Sequence, residues 1–444
     1  MTDDERSAIA REAYIYAYPM LAGYAHFHVQ TLQPGSTMYQ GLNRLHHFRQ
    51  LGGPRFLNSI PWINNDTPYG AGWLDLRSEP FVLRLPRFPR HRFHNVQLID
   101  LFTHNFAFYG SRLSGNDATT ILIAGPDWHG AVPAGIDHVT RAETRIVKLV
   151  TRILLEGGEQ PADLRSLEDG YLLQALSAFV GAEPPPAAPP LDLPTPAAAR
   201  FDTRSADFIA PLNALLALCA PPAQERAAFE RFARIGIAAG AAFDAGALAR
   251  SERDAIDAGV VRAHAEISAL AAHLGPRCNG WEMPLDLRGD RRRMAADPAS
   301  LLRRAAAALY AIWGIDAEEG LYMVSDEDAE GRPLDGSAAA YTIRFERALP
   351  VRAFCSFTVY DAATRLLVEH PSGRYAVRDR DPGLRRDAAG GFTLRLQHEA
   401  PTDGATAHWL PVPRRPFQVV ARLYWPQREL LDGRYRPPPI ERVR

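Results

Sequence analysis

Asn64, Asn65, Asp66 and Thr67 put two amides, a carboxylate and a hydroxyl into one short segment. Such a group can orient a polar ligand, and its carboxylate can act as a general base. The competing reading is a structural turn, because Asn, Asp and Thr bond their own backbone in Asx-turns and caps. Asp100, His104 and Asn105 fall at the end of one apolar run and the start of the next. A histidine beside a carboxylate moves protons near neutral pH, although a histidine satisfied by one local partner is just as common. Asp66, Asp100 and His104 are therefore the candidate catalytic residues, with Asp66 and His104 expected in one pocket. Asn64, Asn65, Tyr69 and Asn105 are the candidate substrate contacts beside them.

A second group lies near the C-terminus, where Arg374-Tyr375, Arg378-Asp379-Arg380 and His398-Glu399 set both signs of charge beside turns. Arginine's planar fork suits a carboxylate or phosphate, while an Arg–Asp pair locking a loop is the plainer alternative. Arg374, Arg380, His408 and Trp409 are the candidate binding residues here. Trp62, Trp73, Trp128, Trp409 and Trp425 can stack on a sugar, though large aromatics serve more often in cores and interfaces. His26-Phe-His28 and His46-His47 do not have the spacing of a metal site, and no His-Glu-x-x-His or Cys-x-x-Cys occurs. Walker, dinucleotide and Gly-x-Ser-x-Gly signatures are also missing, so no metal or cofactor is expected.

Composition narrows the partners. Fifty Lys plus Arg against 51 Asp plus Glu leave no global field to attract nucleic acid or an anionic membrane. No run of 18 apolar residues occurs, so no membrane helix is expected. The acidic start Met1-Thr-Asp-Asp-Glu-Arg is unlike an export signal. Cys219, Cys278 and Cys355 are odd in number and far apart, as in a reducing cytoplasm. A small-molecule ligand or glycan is the expected partner, with homo-oligomerisation open.

The elements that must position these residues follow from apolar periodicity. Ile9, Ala13, Tyr16 and Met20 predict a helix from Asp3 to about Gln30, kinked or divided at Pro19. Short apolar runs between Glu79 and Ala124, broken by Pro, Gly, Asn and Asp, predict an antiparallel β domain. Helix is predicted again for Glu143 to Leu155, then a Pro/Ala-rich linker from Glu183. Ser251 is expected to cap a helix whose stripe runs Ile256, Val260, Ala263, Ile267, Leu270 and Leu274, and another helix is expected from Asp297 to Trp313. Alternation returns at Tyr341–Phe345, Val351–Tyr360, Phe392–His398 and Phe417–Trp425. The expected fold is α+β and mainly antiparallel β, with two jelly-roll-like β-sandwich domains and a helical segment between them. The expected division is 1–140, 141–330 and 331–444.

The run Asn64-Asn-Asp-Thr-Pro-Tyr-Gly-Ala-Gly-Trp-Leu-Asp-Leu resembles the N-terminal domain of unknown function 1254. The resemblance continues through Val96-Gln-Leu-Ile-Asp, Thr103-His-Asn-Phe-Ala and Gly125-Pro-Asp-Trp-His-Gly. The second half is similar to its partner, the domain of unknown function 1214, in Ala353-Phe-Cys-Ser-Phe-Thr-Val-Tyr-Asp, Arg374-Tyr, His408-Trp-Leu-Pro-Val-Pro and Arg422-Leu-Tyr-Trp-Pro. The resemblance implies two jelly-roll-like domains around a helical region and assigns no activity. Cys355, His408 and Pro68 depart from the residues usual in those motifs. Two functions stay open: a metal-independent enzyme using acid/base chemistry on a small polar or glycan-like molecule, and a non-catalytic ligand-binding or assembly protein using the crevice between the β domains.

Overall fold

The computed structural model describes residues 1–55, 61–196, 201–285 and 298–443. Helix and strand each account for about a quarter of the chain, and none of the sheets closes into a barrel.

The first sandwich uses β1 (His46–His47), β2 (Tyr69–Asp75), β3 (Phe81–Leu85), β4 (His94–Asp100), β5 (Asn105–Gly110), β6 (Thr119–Ala124), β7 (His138–Arg141), β8 (Ile146–Ile153) and β9 (Leu172–Ala175). One sheet runs β1-β2-β8-β4-β5 and the facing sheet β7-β6-β3-β9. Leu74, Leu83, Val96, Leu98, Ile121, Ile123, Val147 and Leu149 meet between them. The alternation that sends these residues inward sends Tyr69, Trp73, Asn95, Gln97, Lys148 and Arg152 to the opposite face of the larger sheet.

The second sandwich uses β10 (Arg277–Cys278), β11 (Trp281–Glu282), β12 (Gly320–Ser325), β13 (Tyr341–Phe345), β14 (Val351–Asp361), β15 (Ala376–Arg378), β16 (Phe392–Gln397), β17 (Trp409–Pro411), β18 (Phe417–Pro426) and β19 (Ile440–Arg442). Its sheets are β10-β11-β12-β18-β14-β15 and β17-β16-β13-β19, with Met323, Phe357, Ala421, Ile343 and Leu394 in the core between them. Pairing is antiparallel except for β6 with β7 and β16 with β17.

A helical layer packs beside both sandwiches, on Trp73 and Ile146 of the first and on Val324 and Val420 of the second: α1 (Asp3–Thr31), α2 (Ile209–Leu216), α3 (Arg226–Phe232), α4 (Arg250–Ala271) and α5 (Pro298–Ala311). The Thr2–Glu5 capping box starts α1, and Pro19 sits inside it without dividing it. From Ala13 onward nearly every α1 residue is buried, as in a helix enclosed on all sides. The expected stripe of α4 is buried at Ile256, Val260, Ala263 and Ile267, but the helix begins at Arg250, so Ser251 lies within its first turn and caps nothing. The last long helix is observed from Pro298, and the expected start at Asp297 lies outside the described residues. The segment 183–196 has no helix or strand, as a Pro-rich linker should.

Two expectations need correction. Glu143 to Leu155 is not a helix: Ile146–Ile153 is the strand β8, paired on one side with β2 and on the other with β4. All eight of its residues are buried, so the alternation that marks a one-sided strand is missing. The boundaries also shift, because a cut at 140 removes β8 from the middle of its sheet and a cut at 331 removes β10, β11 and β12 from theirs.

Candidate functional site

The Asn64–Thr67 segment enters β2 at the face turned toward the second sandwich. Asn64 Oδ1 accepts from the Asp66 amide at 2.6 Å, an Asx-turn that fixes the segment's shape. Its Nδ2 donates to the Tyr424 hydroxyl on β18 at 2.6 Å. Asp66, fully buried, accepts from Ser356 Oγ on β14 at 2.5 Å and faces Arg378 Nε at 3.2 Å. Asn65 donates to the Gly52 carbonyl, and its own carbonyl accepts from Arg378. Gly52 has to be glycine here, since a Cβ would lie 2.3 Å from Ile63 Cγ1 and 2.8 Å from the Asn64 carbonyl oxygen.

The second sandwich answers with the face of β12, β14 and β18 that its core does not use. Buried Arg422 donates to Thr358 Oγ1 at 3.1 Å, Tyr360 Oη at 2.6 Å and the Trp62 carbonyl at 2.7 Å. Burial works against its charge, but Tyr360 and Asp66 more than compensate and its pKa rises. Arg152 on β8 is equally enclosed, with the Tyr69 ring 5.0 Å away and Asn95 Oδ1 at 3.5 Å. Asn95 in turn donates to Glu319 at 3.2 Å, and Arg112 to the same carboxylate at 2.5 Å. Tyr322 and Tyr424 bring their hydroxyls within 3.3 Å, and burial raises the pKa of both. The result is a buried polar seam holding two enclosed guanidinium groups, arranged to join two sheets.

The remaining candidate residues are dispersed. Asp100 pairs across the sheet with Val147, whereas Tyr69 and Asn95 pair with Arg152. Five residues of strand separate these ends, roughly 17 Å. His104 stays with Asp100, its Nδ1 3.6 Å from Oδ2 and its amide donating to Oδ1 at 2.9 Å. Asp66 and His104 therefore sit at opposite ends of the sheet, and the expected pairing has no geometry. Asn105 donates to the Gly314 carbonyl at 2.9 Å and to Asp316 Oδ1 at 2.6 Å, tying β5 to the segment after α5. Arg380 spans the sandwiches, donating to the Ala353 carbonyl at 2.8 Å and lying 3.5 Å from Glu156. His408 is held by the Thr393 carbonyl and the Arg385 amide, and Trp409 donates to the Gln397 carbonyl at 2.8 Å from a buried position. Arg374 lines a separate recess of the second sandwich, linked to the seam through Asp381, which lies 3.7 Å from Arg374 and 3.8 Å from Arg378.

Next to the seam is a cavity of about 60 Å³ that sequence reasoning did not assemble. Trp62, Tyr310 of α5, Ile315, Tyr322 and Val324 of β12, and Val420 of β18 line it, and among the described residues no lining residue is charged. Trp62 has φ +48°, a backbone region that a bulky side chain enters only when its surroundings force it there. Its amide donates to the carbonyl of Arg365, itself at φ +60°, and the Arg365 guanidinium lies 4.6 Å from the centroid of the indole. The indole meets the Tyr310 ring at 4.3 Å and donates to Gln418 Oε1 at 3.3 Å. Trp62 was visible in the sequence as a stacking candidate. Tyr310 was hidden in a helix read only for its core stripe.

Among the described residues, no group of three or more His, Cys, Asp or Glu is placed to hold a metal ion. His26 instead lies against Trp313, their ring centroids 5.0 Å apart.

The chain belongs to the family that pairs two domains of this kind. Residues 42–175 match the protein of unknown function (DUF1254) and residues 319–428 the protein of unknown function (DUF1214). Each side of the seam falls within one match: Asn64, Asp66 and Arg152 in the first, Ser356, Arg378, Arg422 and Tyr424 in the second. Among solved structures, the VPA0106 protein from Vibrio parahaemolyticus is similar over 99% of this chain and 100% of its own, with 24% identity and a TM-score of 0.77, so the fold is shared. An uncharacterised protein from Burkholderia cenocepacia, 13% identical with a TM-score of 0.46 over 98% of this chain and 88% of its own, is too loosely similar to carry an argument. No curated protein matches the sequence.

Proposed function

We propose that this protein is a ligand-binding module that holds a small, uncharged and largely apolar molecule between Trp62, Tyr310 and Tyr322. The observation that carries the reading is the strained Trp62 forming a wall of a cavity whose described lining residues are all uncharged. Backbone strain concentrates where a ligand must be met in a set geometry, and apolar pockets with a few polar groups suit neutral ligands. The acid/base alternative is less well supported, because Asp66 is engaged by Ser356 and Arg378 and lies far along the sheet from His104. A reducing cytoplasm remains the compartment we favour, consistent with three free cysteines.

The test is a titration with xenon, a neutral apolar probe small enough for a cavity of about 60 Å³, followed by its ¹²⁹Xe chemical shift. Val324→Phe fills the cavity from β12 and should weaken the probe at least about tenfold, the scale of one lost apolar contact region. Ala317→Phe does the same from a half-buried rim position and covers the case in which the first variant folds poorly. Equal probe affinity in both folded variants would refute the assignment.

A further inference from the structure

The second sandwich has a recess of about 200 Å³ whose wall holds Arg374, Arg414, Arg415, His370 and His398 over a floor that includes Val359 and Val412; Asp381, 3.7 Å from Arg374 and 3.8 Å from Arg378, stands between it and the seam. Glu369 is the one acidic lining residue, and it already pairs with Arg55. Arg414 donates to Glu399 at 2.7 Å through one N–H, and Arg415 to Asp361 at 2.6 Å through one N–H. A guanidinium has five, so most of their donors remain for a ligand. Arg374 gives Nη2 to the Ala407 carbonyl at 2.9 Å and keeps a buried Nε with no partner among the described residues. Its closest carboxylate, Asp381, is 3.7 Å away, and burial lowers its pKa.

The histidines add direction. His370 Nδ1 accepts from the Ser372 amide at 3.2 Å, so its proton sits on Nε2, which donates to the His398 carbonyl at 3.2 Å. His398 donates Nδ1–H to the Val412 carbonyl at 2.9 Å. The His370 ring is therefore held neutral and the His398 ring is oriented by its Nδ1 contact, so the recess draws its fixed charge from the arginines.

We infer that this recess binds a small phosphomonoester, its phosphate taken by Arg374 with Arg414 and Arg415 and its organic part laid on Val359, Val412 and Tyr375. Forked arginine donors match phosphate oxygens in pairs, and the apolar floor accommodates what the phosphate is attached to. The site is separate from the cavity beside Trp62 and does not depend on it.

Isothermal titration calorimetry with phenyl phosphate tests the inference, with inorganic phosphate and benzoate as comparison ligands. Phenyl phosphate should bind more tightly than either. Arg414→Gln/Arg415→Gln, at two exposed positions, should weaken it on the order of tenfold or more, as removing charge-assisted hydrogen bonds does. Arg374→Gln should weaken it further, and if that variant does not fold the double variant decides alone. In the ¹⁵N-labelled protein the Trp409 indole signal, whose ring lies 5.7 Å from His370, should move on addition. Absence of binding at millimolar phenyl phosphate, binding unchanged in the double variant, or benzoate binding as tightly would each overturn the phosphomonoester assignment.

Discussion

Asp66 is fully buried where the two sandwiches meet. Its carboxylate faces Arg378 and contributes to holding the charge of the enclosed Arg422, so removing its charge strands cations inside the protein. Asp66→Asn is expected to cost about 3 kcal/mol of unfolding free energy, within the range for breaking a buried pair. Urea denaturation measures it. A catalytic Asp66 would behave in the opposite way, with the melting curve unmoved and only turnover lost. The Asn64 turn was legible from residue type, since Asn before Asp and Thr bonds its own backbone. What the sequence did not disclose was the partner: Ser356 and Arg378 lie about 300 residues away and meet Asp66 only once both sandwiches have folded.

At the level of elements, α4 and strands such as Tyr341–Phe345 were readable because each buries one face, and a periodicity of 3.6 or 2 marks that face. Tyr341–Phe345 emerges with the expected bounds, and α4 with four residues of its expected stripe buried, Leu270 being only half-buried and Leu274 falling beyond the helix end at Ala271. The β8 error has the converse cause: both faces are covered, and Lys148, Thr151 and Arg152 fall among its Ile, Val and Leu residues so that no regular period of 2 survives. Proximity between helices was also invisible. Gly259 of α4 meets α1 so closely that a Cβ would lie 2.3 Å from the Ser7 carbonyl oxygen and 2.9 Å from Ala10 Cβ. Alanine is ordinarily the better helix former by about 1 kcal/mol, yet here the obstacle is a backbone atom that cannot rotate aside. Gly259→Ala should therefore destabilise the protein, by about 2 kcal/mol, seen as a lower urea midpoint with an unchanged slope. A raised midpoint would mean that α1 and α4 can move apart without loss.

For the whole molecule, the two sandwiches, each with its own core, meet across charged and hydroxyl-bearing faces that water would otherwise cover. Such a seam stabilises little by itself, because desolvating Arg152 and Arg422 offsets most of what their partners return. Its consequence is registration: Asn64 on Tyr424, Asp66 on Ser356 and Arg422 on the Trp62 carbonyl fix the segment that carries Trp62 against β18. The cavity exists because that register is held. The most direct measurement is the indole ¹⁵N–¹H spectrum, with the Trp62 signal assigned through Trp62→Phe and xenon added stepwise under pressure. We expect the Trp62 signal to shift in a saturable way while those of Trp128 and Trp409, remote from the cavity, stay in place. A Trp62 signal that does not move while the probe binds, or equal movement of all the indoles, would contradict the account.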